Sequence, residues 1–220
     1  MSNKIPTHVA FIMDGNSRWS KKNNLTKKEG YKHGIKILEE IIETCIKLRI
    51  KIITVYALST ENINRKDVNI LYSLIKKFID NTKIEKFNNI DFKLIGDRKN
   101  INIDILSFFE KLEKNTNHEK KIILNLAYNY GSWNELEFCI NNIINHYKDN
   151  NDLLLNENLI RNNLYTKNIP DPDILIRTGG NNRLSNFLLL QLKYTELFFI
   201  ETLWPDFNEH KFQKILEEYQ

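Results

Sequence analysis

Six short apolar segments alternate along the chain with longer segments of helical periodicity. The apolar segments are HVAFIM (8–13), IITVYAL (52–58), FKLI (92–95), IILNLA (122–127), DILI (173–176) and LFFI (197–200). Most of them are continuously apolar, which is typical of strands buried on both faces. The amphipathic segments are GIKILEEIIETCIKL (34–48), DVNILYSLIKKFI (67–79), NIDILSFFEKLEK (102–114) and SWNELEFCINNIINHY (132–147). This alternation predicts an α/β fold in which residues 1–220 form a single domain, with a central, mostly parallel six-stranded sheet flanked by helices.

The segments that follow the predicted strands are rich in arginine and glycine. Only seven of the 32 basic residues are arginine, and five of the seven follow strands: Arg18, Arg65, Arg98, Arg177 and Arg183. Five of the seven glycines do the same: Gly15, Gly96, Gly131, Gly179 and Gly180. Ligands of open α/β sheets bind at the carboxyl ends of the strands. Because arginine forks and glycine turns bind phosphate oxygens, the sequence predicts an anion site at that edge.

A carboxylate in the segment FIMDGNSRW (11–19) adds a metal ion to the predicted chemistry. Mg²⁺ keeps several waters and is bound by one or two carboxylates together with substrate phosphate oxygens. Asp14 is the natural candidate, with Glu196 and Glu61 in support. The alternative is that Asp14 caps a helix in an Asp-Gly turn. The neighbouring Asn16 and Arg18 favour the metal role.

Composition and charge restrict the classes of partner. Hydrophobic residues make up 41% of the chain and charged residues 27%, which is ordinary for a globular protein. The net charge of +4 comes from scattered lysines, which favours a solvated basic surface and no nucleic-acid partner. Cys45 and Cys139 stand alone in apolar contexts, so we expect reduced core thiols. Since the sequence contains neither a signal-peptide pattern nor a membrane-spanning run, we expect a soluble, cytoplasmic protein.

Common motifs of other enzyme classes do not occur in the sequence. It contains neither the phosphate loop GxxxxGK[ST] nor the dinucleotide fingerprint GxGxxG. The five histidines lack the spacing of metal ligands, and no serine lies in a GxSxG elbow. The sequence therefore gives no support to a nucleotide-binding or triad-hydrolase interpretation.

Five long segments occur in a family-specific order along nearly the whole chain. They are HVAFIMDGNSRW, YALSTENINR, LNLAYNYGSW, DILIRTGGNNRLSNFLLLQ and ELFFIETLWPDF, and they extend from His8 to Phe207. They resemble the signature blocks of the cis-prenyltransferases, most closely those of the bacterial undecaprenyl diphosphate synthase kind. The resemblance implies a Mg²⁺-dependent homodimer that adds isopentenyl diphosphate to an allylic primer such as farnesyl diphosphate, with new cis double bonds. The product would be a long polyprenyl diphosphate, and its release would involve transient contact with a membrane surface.

The resemblance also implies a role for each matching residue. Asp14 matches the carboxylate that holds Mg²⁺ on the diphosphate, and Glu196 matches a second metal-associated carboxylate. Asn62 matches the residue assigned as proton acceptor. Because a neutral amide is a poor base, we interpret Asn62 as a positioning group, with diphosphate taking the proton. The substrate-binding positions are matched by Gly15, Asn16, Ser17, Arg18, Trp19, Lys27, Tyr31, Ser59, Thr60, Glu61, Ile63, Arg65, Arg177, Arg183, Leu184 and Ser185.

Two groups among these residues are implied to bind the two diphosphates. The segment 15–18 matches the cradle of the primer diphosphate. The clamp on isopentenyl diphosphate is matched by Arg65, Arg177, Arg183 and Ser185. The sequence departs from the family pattern at Lys27 for arginine, Tyr31 for histidine, Ile63 for an aromatic residue, and Asn181 and Asn182 for an acidic residue and histidine. Lysine keeps the charge but loses the bidentate fork. Since Asp14 and the arginine set remain, we expect activity to survive with altered efficiency.

The helical segment 67–79 directly follows the STEN segment and carries an apolar stripe. Periodicity alone fits an ordinary core stripe. The resemblance instead favours the wall of a tunnel for the growing lipid. The implied tunnel residues are Ala57, Leu71, Leu74 and Ile75.

Two alternative functions remain open from the sequence. The chain could be a non-catalytic scaffold subunit of a heteromeric cis-prenyltransferase, although such subunits characteristically lose the DGN and RTGGxxRxS chemistry that is retained here. It could also be a Mg²⁺-dependent phosphohydrolase that uses Asp14 and the same arginines. A hydrolase would need an activated water, and it would not need a long apolar cavity.

Overall fold

The computed structural model describes residues 5–63, 68–81, 87–99, 101–115, 120–147 and 154–219. The strands are β1 (His8–Ile12), β2 (Ile52–Ser59), β3 (Ile90–Ile95), β4 (Ile122–Tyr130), β5 (Ile174–Arg177) and β6 (Glu196–Phe199). The helices are α1 (Asn16–Lys22), α2 (Lys27–Lys47), α3 (Val68–Asn81), α4 (Ile103–Glu113), α5 (Ser132–Tyr147), α6 (Glu157–Asn163) and α7 (Glu209–Glu218). Short 3₁₀ turns cover Thr60–Asn62 and Trp204–Asp206.

The six strands form one parallel sheet in the order β3-β4-β2-β1-β5-β6. The predicted α/β architecture is confirmed, and each predicted apolar segment overlaps one strand. In the centre of the sheet, Phe11 of β1 pairs with Val55 of β2 on one side and Ile176 of β5 on the other. Because parallel strands end at the same edge, the segments after β1, β2 and β5 become neighbours.

Side chains of β1 alternate between two hydrophobic clusters, one on each face of the sheet. Val9 and Phe11 belong to the larger cluster, while Ala10 and Ile12 belong to the smaller one. The larger cluster contains residues of α2, α4 and α7, and the aromatic partners of Phe11 within it are Trp204, Phe207 and Phe212, at ring-centroid distances of 6.0, 6.3 and 5.6 Å. Burial on both faces explains why this strand is continuously apolar in sequence.

Three helices were not predicted from periodicity, namely α1, α6 and α7. The sequence KDNNDLLLNEN (148–158) predicts a surface loop, but its end overlaps α6, which begins at Glu157; residues 148–153 lie outside the described part of the chain. Asn156 caps α6 by accepting a hydrogen bond from the backbone N–H of Leu159 at 3.0 Å. With only seven residues each, α1 and α6 are too short to show a helical period clearly.

The two cysteines are buried and unpaired, as predicted. Burial raises the pKa of the Cys45 thiol well above its ordinary value, so this thiol is unreactive. Among the helices that the structure describes, none combines the length and the apolar character that crossing a bilayer requires.

A buried polar chain crosses the amino end of the sheet. The ring of His8 donates from Nδ1 to the carbonyl of Pro170 at 2.7 Å, because that carbonyl can only accept. Its Nε2 therefore accepts from Thr54 Oγ1 at 2.7 Å, and Thr54 in turn accepts from Asn125 Nδ2 at 2.9 Å. This arrangement requires a neutral imidazole, and burial lowers the pKa of His8 to about 4.

We expect His8 to make the protein less stable in mild acid. The unfolded chain binds the proton near pH 6.5 and the folded protein near pH 4, so stability is fully present above pH 6.5 and falls as the pH drops towards 4. Between pH 7 and pH 5, the free energy of unfolding should decrease by about 2 kcal/mol from this residue. Urea unfolding at the two pH values measures the change. His8→Gln should remove most of this pH dependence, whereas His210→Gln, at an exposed position, should keep it.

Candidate active site

Asp14 is the centre of a polar cluster just beyond the carboxyl ends of β1 and β5. Its Oδ1 lies 3.1 Å from Arg18 Nη2. Its Oδ2 accepts hydrogen bonds from Arg177 Nη2 at 3.0 Å and from Asn181 Nδ2 at 2.8 Å. Its carbonyl oxygen accepts a hydrogen bond from Thr178 Oγ1 at 2.8 Å. The last residue of β5 and the residues that follow it therefore fix both the backbone and the carboxylate of Asp14.

These partners keep the Asp14 carboxylate ionised. Burial alone would raise its pKa, but hydrogen bonds from Asn181 and Arg177 and the charge of Arg18 outweigh burial and lower the pKa. The helix α1 begins after Gly15, which has a φ of 119°, and no side chain caps this helix. The alternative interpretation of Asp14 as a helix cap is therefore wrong.

Close backbone approach explains the glycines at two positions near Asp14. A Cβ at Gly179 would lie 2.5 Å from Arg18 Nη2 and 3.0 Å from the carbonyl oxygen of Asp14, and the φ of Gly179 is +88°. Arg18 Nη1 also donates to the Gly179 carbonyl at 2.6 Å. A Cβ at Gly34 of α2 would overlap Asn16 Oδ1. Glycine at these positions allows the side chains of Arg18 and Asn16 to pack against the backbone.

Arg177 joins the Asp14 carboxylate to the loop that follows β5. Its side chain is only 4% exposed. From Nη1 it donates to Ser185 Oγ at 2.9 Å and to the carbonyl of Arg183, while Nη2 contacts Asp14. The side chain of Arg183 is exposed, with Nη1 3.2 Å from Asn181 Oδ1. Arg177 thus holds the loop in place, and Arg183 remains accessible to an anion.

The segment Ser59–Asn62 lies at the neighbouring carboxyl end of β2. Thr60 Oγ1 donates to Asn134 Oδ1 at 3.1 Å, and Glu61 Oε1 accepts from Asn186 Nδ2 at 2.8 Å. Burial raises the pKa of Glu61, but hydrogen bonds, first that from Asn186, lower it overall. The sequence analysis predicted neither asparagine partner.

The helices α1 and α2 form the rim beside the Asp14 cluster. Trp19 Nε1 donates to Asp206 Oδ1 at 2.7 Å, and its ring stacks on His33 with a centroid distance of 4.8 Å. Ser17 follows Asn16 on α1, while Lys27 and Tyr31 lie in the first turns of α2. The structure therefore places these predicted residues on two helices that pack together next to Asp14.

The predicted apolar residues of the site pack against the hydrophobic clusters. Ala57, Ile63 and Ile75 are partly buried against the larger cluster, and Leu184 is partly buried against the smaller one. Leu74 is only 6% exposed. Arg65 and the side chain of Leu71 lie outside the described residues, so their predicted roles stay predictions.

Glu196 does not lie near Asp14 within one chain. It is the first residue of β6 and pairs with Ile174 at the amino end of β5. Asp14 lies beyond the other end of β5, which is roughly 10 Å long at about 3.3 Å per residue. The prediction that Glu196 supports a metal ion held by Asp14 is therefore wrong for a single chain, because the two carboxylates lie at opposite ends of the sheet.

Arg98 does not join the other arginines either. It follows β3, the edge strand, which β4 and β2 separate from β1. Its Nη2 lies 2.8 Å and 2.9 Å from the two carboxylate oxygens of Glu113 on α4. Arg98 therefore pairs with a helix on one face of the sheet, and its predicted place in the anion site is wrong.

The polar groups around Asp14 fit Mg²⁺ held together with a diphosphate. In the described part of the chain, no group of three or more histidine, cysteine, aspartate or glutamate side chains could hold a metal by itself. Mg²⁺ on a diphosphate needs only one or two carboxylates. Asn16 Oδ1 and Arg177 Nε are buried without a hydrogen-bond partner among the described atoms. A Cβ at Gly180 would lie 2.5 Å from Glu201 Oε2, which places a second, unpredicted carboxylate near the same turn.

Comparisons with known proteins show which family the chain belongs to. A family model described as undecaprenyl diphosphate synthase matches residues 12–220. An isoprenyl transferase of Fusobacterium nucleatum is 41% identical over 222 residues, covering 100% of this chain and 94% of that protein. A ditrans,polycis-undecaprenyl-diphosphate synthase of Pasteurella multocida, named as specific for (2E,6E)-farnesyl diphosphate, is 37% identical. The match covers 99% of this chain and 93% of that protein.

A solved structure extends the likeness to the fold. Lavandulyl diphosphate synthase from Lavandula x intermedia, in complex with dimethylallyl diphosphate, matches with a TM-score of 0.89 at 30% identity. The match covers 97% of this chain and 94% of that one. The resemblance predicted from the five sequence segments is confirmed: the chain belongs to the undecaprenyl diphosphate synthase family of cis-prenyltransferases.

Proposed function

We propose that the protein is a cytoplasmic, Mg²⁺-dependent enzyme that condenses isopentenyl diphosphate with an allylic diphosphate, farnesyl diphosphate above all, and forms cis double bonds. The product would be a long polyprenyl diphosphate, such as undecaprenyl diphosphate for a cell-wall lipid carrier. The observation that carries the proposal is the cluster of Asp14, Arg18, Arg177 and Asn181 at the carboxyl edge of the sheet. The names of the Pasteurella and Lavandula relatives, which include allylic diphosphates, support the substrate class.

The cluster suits a reaction that separates charge. As the allylic C–O bond breaks, positive charge develops on carbon and negative charge on the departing diphosphate. The guanidinium group of Arg18 is exposed at the site and can donate to oxygens of the departing diphosphate as this negative charge grows, while the exposed Arg183 is available to the diphosphate of isopentenyl diphosphate. Stabilisation of the leaving group is therefore the contribution that we expect from Arg18.

Asp14 would hold Mg²⁺ on the diphosphate, with the Asn181 amide fixing the orientation of its carboxylate. The bound ion would supply Lewis-acid stabilisation of the leaving group. When the new C–C bond forms, isopentenyl diphosphate loses a proton from carbon, and the diphosphate is the best available base. Asn62, a neutral amide at the end of β2, would position the reacting carbons for this step.

One assay tests the proposal directly. Purified protein is incubated with farnesyl diphosphate, isopentenyl diphosphate and Mg²⁺, and the lipids are analysed by mass spectrometry. We expect a series that grows by five carbons per step and disappears when EDTA exceeds Mg²⁺. Recovery of unchanged farnesyl diphosphate under these conditions would contradict the proposal.

The same assay separates the two alternative functions. A scaffold subunit would give no product alone, yet this chain keeps both Asp14 and the Arg177–Ser185 contact that the chemistry needs. A phosphohydrolase would release inorganic phosphate from farnesyl diphosphate without isopentenyl diphosphate and without lipid growth. Measuring phosphate and lipid in the same samples therefore distinguishes all three.

We expect the side chain at position 57 to limit product length. Ala57 lies near the end of β2 and packs, partly buried, against the larger hydrophobic cluster, as does Ile75 of α3. A growing lipid must avoid water, because each exposed CH₂ costs about 0.8 kcal/mol. Ala57→Leu should therefore shorten the main product, while Leu74→Ala should leave it equal or lengthen it. Chromatography of the products measures both effects, and an unchanged length in both active variants would show that these residues are only core.

We also propose that two copies of the chain associate through the β6 edge of the sheet. β6 is an edge strand, and its Leu197 is 44% exposed beside Tyr194, which is 90% exposed. An exposed apolar edge strand is a surface that pairs readily with another chain. We expect sedimentation to show a dimer at micromolar concentration. Leu197→Glu should shift it towards monomer, whereas Leu154→Glu, at a position that is 82% exposed, should not. A fully active monomer would refute this proposal.

A further inference from the structure

Asn186 connects three segments of the site that are distant in sequence. Its side-chain Nδ2 donates to Glu61 Oε1 at 2.8 Å, after the end of β2. Its Oδ1 accepts from the backbone N–H of Trp133 at 3.2 Å, in the first turn of α5. Its carbonyl oxygen accepts from the backbone N–H and the hydroxyl of Ser132 at 2.8 and 3.1 Å. Each polar group of this residue except its backbone N–H thus bonds to another part of the site.

The backbone around Asn186 is held in an uncommon conformation. Ser185, Asn186 and Leu188 have φ values of 53°, 62° and 49°, in the left-handed region that non-glycine residues rarely occupy. Asparagine tolerates this region better than most residues. A Cβ at Gly131 would lie 2.6 Å from Asn186 Nδ2 and 2.8 Å from Thr60 Oγ1, so the segments also approach closely. Such strain persists only where the surroundings enforce it, and it is concentrated at functional sites.

Ser185 ties this strained segment to the arginine cluster. Arg177 Nη1 donates to its hydroxyl at 2.9 Å, and the same guanidinium holds Asp14. Asn186 is the next residue, and it reaches Glu61 on the far side of β1, because β1 lies between β5 and β2 in the sheet. The Asn186–Glu61 hydrogen bond therefore closes a bridge over the carboxyl end of β1, where the two substrates would have to meet.

We propose that Asn186 is a positioning residue that fixes Glu61, and with it the Ser59–Asn62 segment, relative to the Arg177–Ser185 clamp. This inference rests on the proposed function. The amide is the required group, because its N–H donates to a carboxylate while its oxygen accepts from the start of α5. Losing the bond to Glu61 should change how well isopentenyl diphosphate is bound and aligned. The affinity for the allylic primer, on the Arg18 side of the cluster, should change little.

The variant Asn186→Asp removes only the contact with Glu61. An aspartate has the same shape and can still accept from the N–H of Trp133, so the attachment to α5 survives. Its second oxygen, however, faces Glu61 Oε1 and repels it. We expect kcat/KM for isopentenyl diphosphate to fall about tenfold or more, with the dissociation constant of farnesyl diphosphate within twofold of the wild type. Asn158→Asp makes the same charge change at an exposed position of α6 and should leave both quantities unchanged.

The decisive comparison adds Glu61→Gln. In the double variant, residue 61 is the donor and residue 186 is the acceptor, which is the reverse of the wild type. A glutamine at position 61 can donate to the aspartate oxygen, so Asn186→Asp should cost less than threefold in the Glu61→Gln background. A loss that is at least threefold smaller in the Glu61→Gln background supports the bridge, and a loss that is larger there overturns it. A smaller difference, or no loss in the wild-type background, overturns it. A merely structural role for Asn186 would not produce this dependence on residue 61.

A binding measurement covers the case in which Glu61→Gln is too slow to assay. Isopentenyl diphosphate alone is not consumed, so calorimetry can give its dissociation constant for all four proteins, and the same threefold criterion applies. The wild-type elongation assay is run alongside. If it shows no lipid growth, the proposed function fails. The coupling between positions 61 and 186 is then decided by thermal unfolding of the same four proteins. If Asn186→Asp lowers the midpoint temperature of unfolding equally in both backgrounds, the bridge is overturned.

Discussion

Asp14→Ala should lower the rate of chain elongation by about 10²-fold or more while the protein stays folded. Asp14 is the only side chain that contacts Arg18, Arg177 and Asn181 together among the described residues, and its pKa is lowered, so it is a fixed negative charge. Losing a group that stabilises a departing anion through a metal ion costs at least this much. Asp14 belongs to neither hydrophobic cluster, so the circular dichroism spectrum should be unchanged.

Two further variants define this prediction more closely. Asp14→Asn keeps the shape and one acceptor oxygen but loses the charge, so it should be nearly as inactive as the alanine variant. Asp171→Ala removes a carboxylate of similar exposure, 27% against 29%, which also binds an arginine, Arg161. Since Asp171 lies before the amino end of β5, this variant should lose stability but keep its activity. If Asp14→Ala kept more than a tenth of the wild-type rate, Asp14 would not bind the metal.

The strands could be predicted from the sequence because both faces of the sheet are buried. Val9, Ala10, Phe11 and Ile12 each point into one of two clusters, and this leaves a continuous apolar run. The helix α1 could not be predicted in this way, since Ser20 is its only buried residue. It packs against α2 where Gly30 comes close to Ser20, since a Cβ at Gly30 would lie 2.9 Å from the Cβ of Ser20, and not through an apolar stripe.

The sequence predicted which residues gather around Asp14 better than it predicted where the other candidate residues lie relative to them. The rule that ligands bind after parallel strands pointed to the segments that carry Asp14 and Arg177, and the structure brings these two side chains into contact. Glu196 was predicted from the family resemblance instead, and within one chain it lies at the other end of the sheet, because a motif match does not tell which end of a short strand a residue occupies. The same rule pointed to the segment after β6, whose Glu201 lies beside the Gly179–Gly180 turn, but only the structure singles this residue out.

Asn186 could not be found from sequence reasoning for a different physical reason. Its partner Glu61 is 125 residues away in the chain, and the bond depends on the order of β5, β1 and β2 in the sheet. Local propensity gives only one hint, since asparagine is a residue that accepts a left-handed conformation. Networks that join loops from several strands are therefore the part of a site that depends most on tertiary structure.

Arg177 is the second residue at which we expect a large loss of function. It is the link between Asp14 and Ser185, and both contacts use different nitrogens of one planar guanidinium. A lysine ammonium is a single point, so it cannot reach both partners in the same geometry. At 4% exposure, water cannot replace the contact that is lost. The position therefore requires an arginine, even though the net charge would be the same with lysine.

We expect Arg177→Lys to lower kcat/KM for isopentenyl diphosphate roughly 10- to 150-fold, because one charge-assisted hydrogen bond contributes about 1.5–3 kcal/mol. The KM for isopentenyl diphosphate should rise more than the dissociation constant of the allylic primer, since Ser185 belongs to the implied isopentenyl clamp. Arg161→Lys breaks a similar fork on Asp171, with contacts of 2.9 and 2.8 Å, away from the Asp14 cluster. That variant should stay within twofold of the wild-type rate. Steady-state kinetics with both substrates varied measures these effects, and an Arg177→Lys enzyme with more than a third of the wild-type kcat/KM would show that the fork is not needed to align the two half-sites.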